Sequence, residues 1–375
     1  MGGGAVRKER MNSKERVLTA VRHQEPDRVP VDFWWSHEIL HRLLNHLGLD
    51  NQEQLQTYLG SDIRCVYPRY VGPRLRRFED GSYEDFWGVI RQPRTFSGEG
   101  FEGEYSEPVY YPLQHARSPR DLERVRWPSA DWFDYDSLAA HCDRYPEHAV
   151  MLGRMGVESQ TIFIQLWFFR GLEQALIDLE ENPELVQAMI DRIMEFRTEH
   201  IRRMLKAARG RADILQIADD YGSQNGLMMN PATWRRFFAP PLKTIADLAH
   251  ESGMKVFLHC DGSSRAILPE LIQLGIDILN PVQPQCAGMD PRELKEAFGS
   301  QLCFHGAIDT QSTLPFGKKE DVIAEVRERI EVLGKGGGYI LAPVHTVEAD
   351  VPLENILAVY DAARMFGRYD SRSSH

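Results

Sequence analysis

The sequence predicts an α/β fold, a (β/α)8 barrel with a β-hairpin insertion after its second strand. In the C-terminal half, five short apolar runs rich in β-branched residues alternate with helical patterns. Three further strand-like runs lie upstream, which gives the eight strands that a barrel needs. No G-x-G-x-x-G motif follows the first run, and no G-x-x-x-x-G-K-S/T motif occurs in the chain. The alternation indicates a parallel sheet covered by helices, and the missing phosphate-binding motifs disfavour the doubly wound alternative.

Each predicted strand is a short run of apolar residues, and each of the last five is followed by a helix with recognisable end signals. Asn230 is a typical N-cap before Pro231, and Gly275, Gly299 and Gly334 close three of the helices. The predicted strands are Val29–Trp34, Asp62–Tyr67, Ala149–Gly153, Asp213–Ala218, Lys255–His259, Asp277–Asn280, Leu302–His305 and Tyr339–Ala342. The predicted helices are Pro231–Glu251, Ser263–Leu274, Pro291–Phe298, Lys318–Leu333 and Pro352–Phe366.

A long stretch between the second and third strands, residues 78–128, is rich in Gly, Tyr, Phe and Glu. Its short alternating pieces with Gly-rich turns are typical of antiparallel hairpins inserted over one end of the barrel. Two interpretations stay open for this insertion. It is a cap over the site, or it is a packing element or oligomer contact.

Composition narrows the function classes. The net charge of −11 argues against a nucleic-acid partner, because a phosphate-binding face needs a concentrated excess of Lys and Arg. No apolar run is long enough to span a membrane, so we expect a cytoplasmic protein. Five widely spaced cysteines predict reduced thiols rather than a disulfide framework. Residues 1–10 are set aside as a disordered or vector-derived segment, which leaves one domain over residues 11–370.

Catalytic residues of such a barrel stand at the C-terminal ends of the strands and on the loops that follow. In this chain those positions are polar. We expect substrate or cofactor contacts from several of them and acid–base roles from others. We predict binding roles for Asp32, Tyr221, Gln224, Asn280, Gln283 and Asp309, and catalytic roles for Asp219, Asp220 and His305.

Three of the strand-end residues predict a metal site. His259 and Asp261 form an H-x-D pattern, so in extended chain their side chains share a face. Adding His345 gives two imidazoles and a carboxylate with an open position, an arrangement that catalytic zinc favours. His305 is a further candidate ligand, and Cys260 stays open as a thiolate ligand if the strand bends at its end.

The adjacent Asp219 and Asp220 point in different directions, so we expect only one of them to be functional. That residue would serve as general base, cofactor contact or metal ligand. The other is expected to cap the turn through Ser223.

From about Ser13 to Arg368 the chain resembles the uroporphyrinogen decarboxylase superfamily. The matching stretches are KERVLTAVRHQEPDRVPVDF, DDYGSQNGLMMNPATWRRFFAPPLKTI, KVFLHCDG, GIDILNPVQP, FHGAIDTQ and GGYILAPVHTVEADVPLENI. The resemblance implies a (β/α)8 barrel with its site at the strand C-termini, in agreement with the strand pattern.

The resemblance separates two branches. True uroporphyrinogen decarboxylases use no metal or organic cofactor and hold their polycarboxylate substrate with an arginine-rich segment after the first strand. This chain has Phe33-Trp34-Trp35-Ser36-His37-Glu38 there, and Trp and Ser do not replace bidentate Arg contacts. The other branch comprises zinc-dependent methyltransferases that pass a methyl group between a corrinoid protein and a thiol or reduced folate.

Members of that second branch bind zinc through an H-x-C after the fifth strand and a cysteine after the eighth. His259 matches the histidine, while Asp261 and His345 stand where the two cysteines are expected. These harder ligands suit zinc and also iron, nickel or manganese.

The leading hypothesis from the sequence is a metal-dependent methyl or one-carbon transferase of the methylcobamide type, with a divalent metal, zinc first, at His259, Asp261 and His345. Its expected partners are a small-molecule methyl acceptor, a corrinoid protein and a second copy in a homodimer. Two alternatives stay open. One is a cofactor-free decarboxylase of a porphyrin or non-porphyrin carboxylate, and the other is a non-catalytic barrel that binds a corrinoid or a partner.

Overall fold

The computed structural model describes residues 11–153, 159 and 161–369, and the predicted disordered or vector-derived segment at residues 1–10 lies outside them. The strands are β1 (Ile63–Val66), β2 (Arg69–Tyr70), β3 (Tyr83–Glu84), β4 (Ile90–Gly98), β5 (Phe101–Tyr110), β6 (Phe133–Asp134), β7 (Ala149–Leu152), β8 (Ile214–Ala218), β9 (Gly222–Ser223), β10 (Gly226–Leu227), β11 (Lys255–His259), β12 (Ile278–Val282), β13 (Cys303–Ile308) and β14 (Tyr339–Pro343). The centre of the fold is a seven-stranded parallel sheet in the order β1-β7-β8-β11-β12-β13-β14.

An extended segment, residues 29–35, closes this sheet into a barrel. Val31 forms a parallel bridge with Leu341 of β14, and Trp35 forms one with Val347. On its other side, the Val31 carbonyl accepts a hydrogen bond from the Asp62 amide, next to β1. Residues 29–35 therefore occupy the eighth barrel position, and the predicted (β/α)8 barrel is confirmed.

Helices cover the outside of the barrel, except for α1, which plugs its N-terminal end. They are α1 (Ser13–Val21), α2 (His37–Leu47), α3 (Gln52–Leu59), α4 (Leu138–Cys142), α5 (Phe163–Arg170), α6 (Leu172–Glu181), α7 (Pro183–Ala208), α8 (Pro231–Phe237), α9 (Ala239–Glu251), α10 (Leu268–Leu274), α11 (Pro291–Phe298), α12 (Thr313–Phe316), α13 (Lys319–Arg329) and α14 (Leu353–Phe366).

Some of the observed helices and strands differ from those that the sequence predicts. The predicted helix Pro231–Glu251 is divided at Phe238, because Pro240 and Pro241 lack the amide hydrogens that would continue α8 and are instead tolerated in the first turn of α9. The predicted strand Val29–Trp34 makes isolated bridges rather than a regular ladder. The strand Lys255–His259 and the helix Pro291–Phe298 have the bounds that the sequence predicts.

The barrel interior is apolar at the bottom and polar at the mouth. One cluster of buried residues lines the lower interior, where Val17 and Val21 of α1 meet side chains from most of the strands. These strand residues are Ile63, Ala149, Met151, Ile214, Phe257, Ile278, Cys303 and Ile340. Because side chains alternate along a strand, residues two positions further on point into the barrel again, one layer nearer the mouth.

The predicted insertion forms an antiparallel sheet of β3, β4 and β5. Phe86 and Trp87 at its base are buried, and Trp87 packs edge-on against Phe169 and Phe196 of the barrel helices. The far part of the β4–β5 hairpin is exposed, with Tyr105 at 51% exposure. The insertion is thus anchored through its base.

None of the helices in the described part of the chain combines the length and apolar character that crossing a bilayer requires.

Candidate functional site

The upper interior layer of the barrel carries the polar side chains that strand alternation predicts. His259, Asn280 and His305 follow the core residues Phe257, Ile278 and Cys303 by two positions and are all buried. Neighbouring strands place them side by side, since His259 is in register with Asn280. Asp32 joins this layer from the closing segment, since it is buried and lies 3.2 Å from His305.

A row of hydrogen bonds joins these four side chains. His259 Nδ1 lies 2.5 Å from Asn280 Oδ1, Asn280 Nδ2 lies 2.8 Å from His305 Nδ1, and His305 Nε2 lies 3.2 Å from Asp32 Oδ2. An amide oxygen only accepts and an amide nitrogen only donates, so one set of tautomers satisfies the row. In it His259 donates from Nδ1, so when the imidazole loses its second proton, as on binding a metal, the lone pair is on Nε2.

That Nε2 atom faces the centre of the predicted metal site. Asp261 Oδ2 lies 3.6 Å from His259 Nε2 and 3.7 Å from His345 Nε2. Among residues 11–153, 159 and 161–369, these three residues are the one group of three or more ligand-type side chains with all donor atoms within 4.8 Å of one another. The structure therefore brings together the trio that the H-x-D pattern and His345 suggested.

The donor atoms fit a divalent metal. Four ligands placed tetrahedrally at about 2.0–2.1 Å from zinc stand about 3.3 Å apart, close to the two observed separations. Asp261 Oδ1 is buried and accepts no hydrogen bond from the residues that the structure describes, which is costly for a carboxylate unless another group compensates it. Two imidazoles, one of them fixed in the tautomer that exposes Nε2, together with a carboxylate form an appropriate donor set.

Two loops hold Asp261 in place. Gly262 has a φ of +78°, and its backbone packs so closely on Gly222 that a side chain on either glycine would overlap the other loop. Asp220 accepts a hydrogen bond of 2.9 Å from the Asp261 amide, and Gln283 Oε1 accepts one of 2.5 Å from the Gly262 amide. Asp220 and Gln283 are thus next to the trio, where the sequence predicted them.

The electrostatics of the trio are those of a crowded acidic pocket. Burial lowers the pKa of His259, but the charges of Asp261 and Asp220 outweigh this effect and raise it to about 9. Burial raises the pKa of Asp261, but the opposed charge and hydrogen bond of His259 give a net lowering. Burial raises the pKa of Asp220 to about 6, and partial burial lowers the pKa of His345. The mouth therefore contains a carboxylate that titrates near neutral pH.

Asp219 has a different environment from its neighbour. Its carboxylate accepts hydrogen bonds from the amides of residues 162, 163 and 164, at 2.8–3.1 Å, and from the Tyr221 hydroxyl at 2.6 Å. It thereby caps the start of α5, whose own N-cap, Ile162, has no side-chain oxygen to offer. Asp219 and Tyr221 are fully buried in this role, and neither belongs to the metal-ligand group. The expected cap through Ser223 is instead a cap on α5.

Three other predicted residues lie apart from the trio. Asp309 is buried and caps its own turn, accepting hydrogen bonds from the Gln311 amide and the Ser312 hydroxyl. Gln224 is exposed on the β9–β10 hairpin. Cys260 is outside the metal-ligand group, because strand alternation turns its side chain into the core between barrel and helices, where burial raises its thiol pKa well above the usual range.

A cavity of about 790 Å³ is lined by residues that neighbour the trio, among them Trp34 and Thr346. Trp34 connects the cavity to the trio: it lines the cavity, and its ring lies 5.3 Å from that of His305 and 6.0 Å from that of His259. Sequence reasoning missed Gln216 and Thr346, which also line the cavity. Gln216 had a detectable signal, because a polar residue two positions after Ile214 in a buried strand must point into the barrel.

Comparisons with known proteins agree with the predicted family. Residues 115–366 match the family model described as uroporphyrinogen decarboxylase. A methylated-thiol–coenzyme M methyltransferase of Methanosarcina mazei is 29% identical over 205 residues, which is 53% of this chain and 50% of that protein. A uroporphyrinogen decarboxylase of Anaeromyxobacter dehalogenans is 28% identical over 131 residues, 35% of this chain and 36% of that protein. The matched regions thus span half or less of these relatives.

The fold has a counterpart among solved structures. A methyltransferase from Methanosarcina mazei superimposes with a TM-score of 0.63 at 19% identity, covering 95% of this chain and 99% of that one. At that identity the likeness supports the barrel fold.

Proposed function

The chain belongs to the uroporphyrinogen decarboxylase family, and we propose that within it this protein is a metal-dependent methyltransferase rather than a decarboxylase. The observation that carries the proposal is the convergence of His259, Asp261 and His345, with a buried carboxylate oxygen that has no hydrogen-bond partner among the described residues. The methyltransferase among the curated relatives also has the more extensive match.

We assign the three residues as ligands of one divalent metal, zinc being the first expectation. Bound there, the metal would supply a Lewis acid that lowers the pKa of an incoming thiol or water. The metal would also balance the negative charge of Asp220 and Asp261. The charged groups that shift the pKa values of these two residues are histidines and other carboxylates. A corrinoid, delivered by a partner protein, is the proposed second carrier of the methyl group.

The protein's own residues would orient the metal ligands and accept a proton. Asn280 holds His259 in the tautomer that presents Nε2, and the row continues through His305 to Asp32, so all three act as positioning residues. Trp34 packs against the rings of both histidines and would help to hold them in place. Asp220 is the proposed proton acceptor, because it lies beside the trio, where it accepts a hydrogen bond from the Asp261 amide, and burial raises its pKa. Asp219 is excluded from that role by its four hydrogen bonds.

The lining of the cavity argues against a porphyrinogen substrate. A polycarboxylate needs several unmatched cations, but the basic residues of the lining are Arg64 and Arg69. Arg64 is bound to Glu53 at 2.9 Å, and Arg69 lies opposite Asp134, whose pKa it helps to lower.

Metal content tests the first half of the proposal. Protein purified without chelator should contain about one divalent ion per chain, or bind equimolar zinc tightly, and His345→Ala should lose this binding while the exposed His46→Ala keeps it. A metal-free native protein that does not bind equimolar zinc contradicts the proposal.

Methyl transfer tests the second half. With methylcobalamin and a thiol, the loaded enzyme should form the methyl thioether, release the thiol proton and leave cob(I)alamin, which is followed by its absorbance. Carbon dioxide release from a carboxylate panel by metal-stripped enzyme, without methyl transfer, would indicate a decarboxylase instead.

A further inference from the structure

The cavity beside the trio is unusually aromatic. Eight of its eighteen lining residues are Phe, Trp or Tyr, whereas these residues make up 10% of the whole chain. Its volume of about 790 Å³ lies within the usual range of small-molecule sites, roughly 300–1,000 Å³. The cavity therefore has both the size and the lining of a binding site.

The aromatic side chains on one side of the cavity form a rigid cluster. Phe133 meets Tyr67, Tyr70 and Phe86 nearly edge-on, with interplanar angles of 80–90° and ring centroids 5.4–6.1 Å apart. Tyr70 and Phe86 are stacked at 6.2 Å. These contacts hold the rings in fixed orientations, so a bound flat ring could add a stacked or edge-on contact at little entropic cost.

The elements that supply this cluster are distant in sequence. Tyr67 and Tyr70 follow β1, Phe133 lies in β6, and Phe86 comes from the base of the insertion. The insertion thus contributes a wall of the cavity through Phe86, which favours the cap interpretation over a purely structural ornament.

Two of the three charged residues of the lining have partners of their own. Asp32 accepts hydrogen bonds from Ser61 Oγ at 3.1 Å and His305 Nε2 at 3.2 Å. Arg64 is paired with Glu53, whereas Arg69 is exposed and lies opposite Asp134 in the β2–β6 pair. A carboxylate or ammonium group placed beside Asp32 and Arg64 would lose hydration without gaining an unmatched counter-charge. This part of the lining therefore selects against charged ligands.

One wall of the cavity lies next to the trio. Trp34 lines the cavity and contacts the rings of His259 and His305, and Thr346 lines it directly after His345. A molecule held among the aromatic residues would have one end at this wall.

We propose that this cavity binds an uncharged aromatic ring, which belongs to the small-molecule substrate of the trio. The identification of that ligand as substrate rests on the proposed function, whereas the binding itself does not. Tyr67, Tyr70, Phe86 and Phe133 contact the ring, and its reactive substituent points towards Trp34.

Calorimetry on metal-free, full-length protein in the presence of chelator tests the binding. The probes are 2-naphthol, its saturated counterpart decahydro-2-naphthol, and the anion 2-naphthoate. We expect 2-naphthol to bind at least about tenfold more tightly than either of the others. Equal affinity for the flat and saturated rings, tighter binding of the anion, or no saturable binding of 2-naphthol would each overturn the proposal.

Matched variants locate the binding. Tyr70→Leu should weaken 2-naphthol binding by about threefold to tenfold, while Tyr70→Phe, which keeps the ring, and Tyr105→Leu on the exposed hairpin should leave it unchanged. An equal loss in Tyr70→Leu and Tyr105→Leu, or none in Tyr70→Leu, would overturn the assignment to this cavity. The probe comparison on the native protein decides the matter even if Tyr70→Leu does not fold.

The two proposals can fail separately. If 2-naphthol binds and zinc does not, the proposed ligand of the cavity is supported and metal-dependent methyl transfer is contradicted. If zinc binds and 2-naphthol does not, the proposed ligand of the cavity is contradicted and the metal site is supported.

Discussion

The two ends of the barrel both bury charged side chains, but only the mouth leaves a carboxylate oxygen without a hydrogen-bond partner among the described residues. At the bottom, Asp62 accepts hydrogen bonds of 2.7 Å from both Arg16 and Arg28, and Arg16 also binds Asp27 at 2.7 Å. Two cations meet two anions there, and their side chains are 0–15% exposed. At the mouth, Asp220 and Asp261 face histidines, and Asp261 Oδ1 accepts no hydrogen bond from any described residue.

The difference separates a structural network from a site that fits a ligand. The bottom network joins α1 to the start of β1 and to the closing segment, where the Val31 amide also donates to Asp62. Its bonds are made within the chain, so it holds the barrel closed. The mouth groups instead have shifted pKa values and an unused oxygen, two features that support the proposed metal site.

The largest expected effect tests the mouth. Asp261→Ala should abolish tight metal binding and lower methyl-transfer turnover at least about a thousandfold, because a ligand and its negative charge are lost. Metal analysis and cobalamin absorbance measure the two effects, and the exposed Asp247→Ala is the control. Full metal binding by Asp261→Ala would remove the contrast between the two ends.

The next effect tests the bottom. Arg16→Met leaves Asp62 and Asp27 without one of their buried cations, so the free energy of unfolding should fall by about 3–5 kcal/mol. Urea denaturation measures the loss, and Arg192→Met on the surface of α7 should change it by less than about 0.5 kcal/mol. Zinc affinity of the folded Arg16→Met protein should equal that of the native protein, since the network lies at the other end of the barrel.

A third prediction concerns the row behind the trio. Asn280→Ala removes the acceptor that fixes the tautomer of His259, so zinc affinity should fall about tenfold to a hundredfold. Competition with a chromophoric chelator measures it. Asn280→Asp, which keeps an acceptor for His259 Nδ1, should recover part of the affinity, and the exposed Asn45→Ala should behave as native. Equal losses in the Ala and Asp variants would indicate a merely structural role for the row.

The smallest expected effect concerns the rim of the mouth, where like charges cluster. Burial, with the charges of Glu38 and Asp350, raises the pKa of Glu348 to about 7. The pKa of Glu348 thus rises from 4.5 in the unfolded chain to about 7 in the folded protein, which means that folding favours the protonated group. Its contribution to stability is therefore lost as the pH rises through this range.

Glu348→Gln should therefore have the native melting temperature near pH 4.5 and exceed it by about 1–3 °C at pH 8. Thermal denaturation across this range measures the difference, and Glu296→Gln on the surface of α11 serves as control. A pH-independent difference would show that Glu348 ionises in the folded protein as it does in the unfolded chain.

The sequence by itself determined the barrel and the grouping of polar residues at its mouth. The periodic alternation of buried strands and helices is a local property, so the strand Lys255–His259 could be located within the chain without knowledge of its neighbours. Polar residues at the ends of such strands must meet at one mouth, which is why the grouping of His259, Asp261 and His345 was predictable.

Only the tertiary structure decided how each polar residue is used. Asp219 and Asp220 are adjacent and identical in type, yet one caps α5 from a neighbouring strand and the other supports the Asp261 loop. The tautomer of His259 depends on Asn280, 21 residues away, and the aromatic cavity depends on rings from three distant segments. These roles arise from contacts between segments far apart in the chain, and residue type and local spacing carry no information about such contacts.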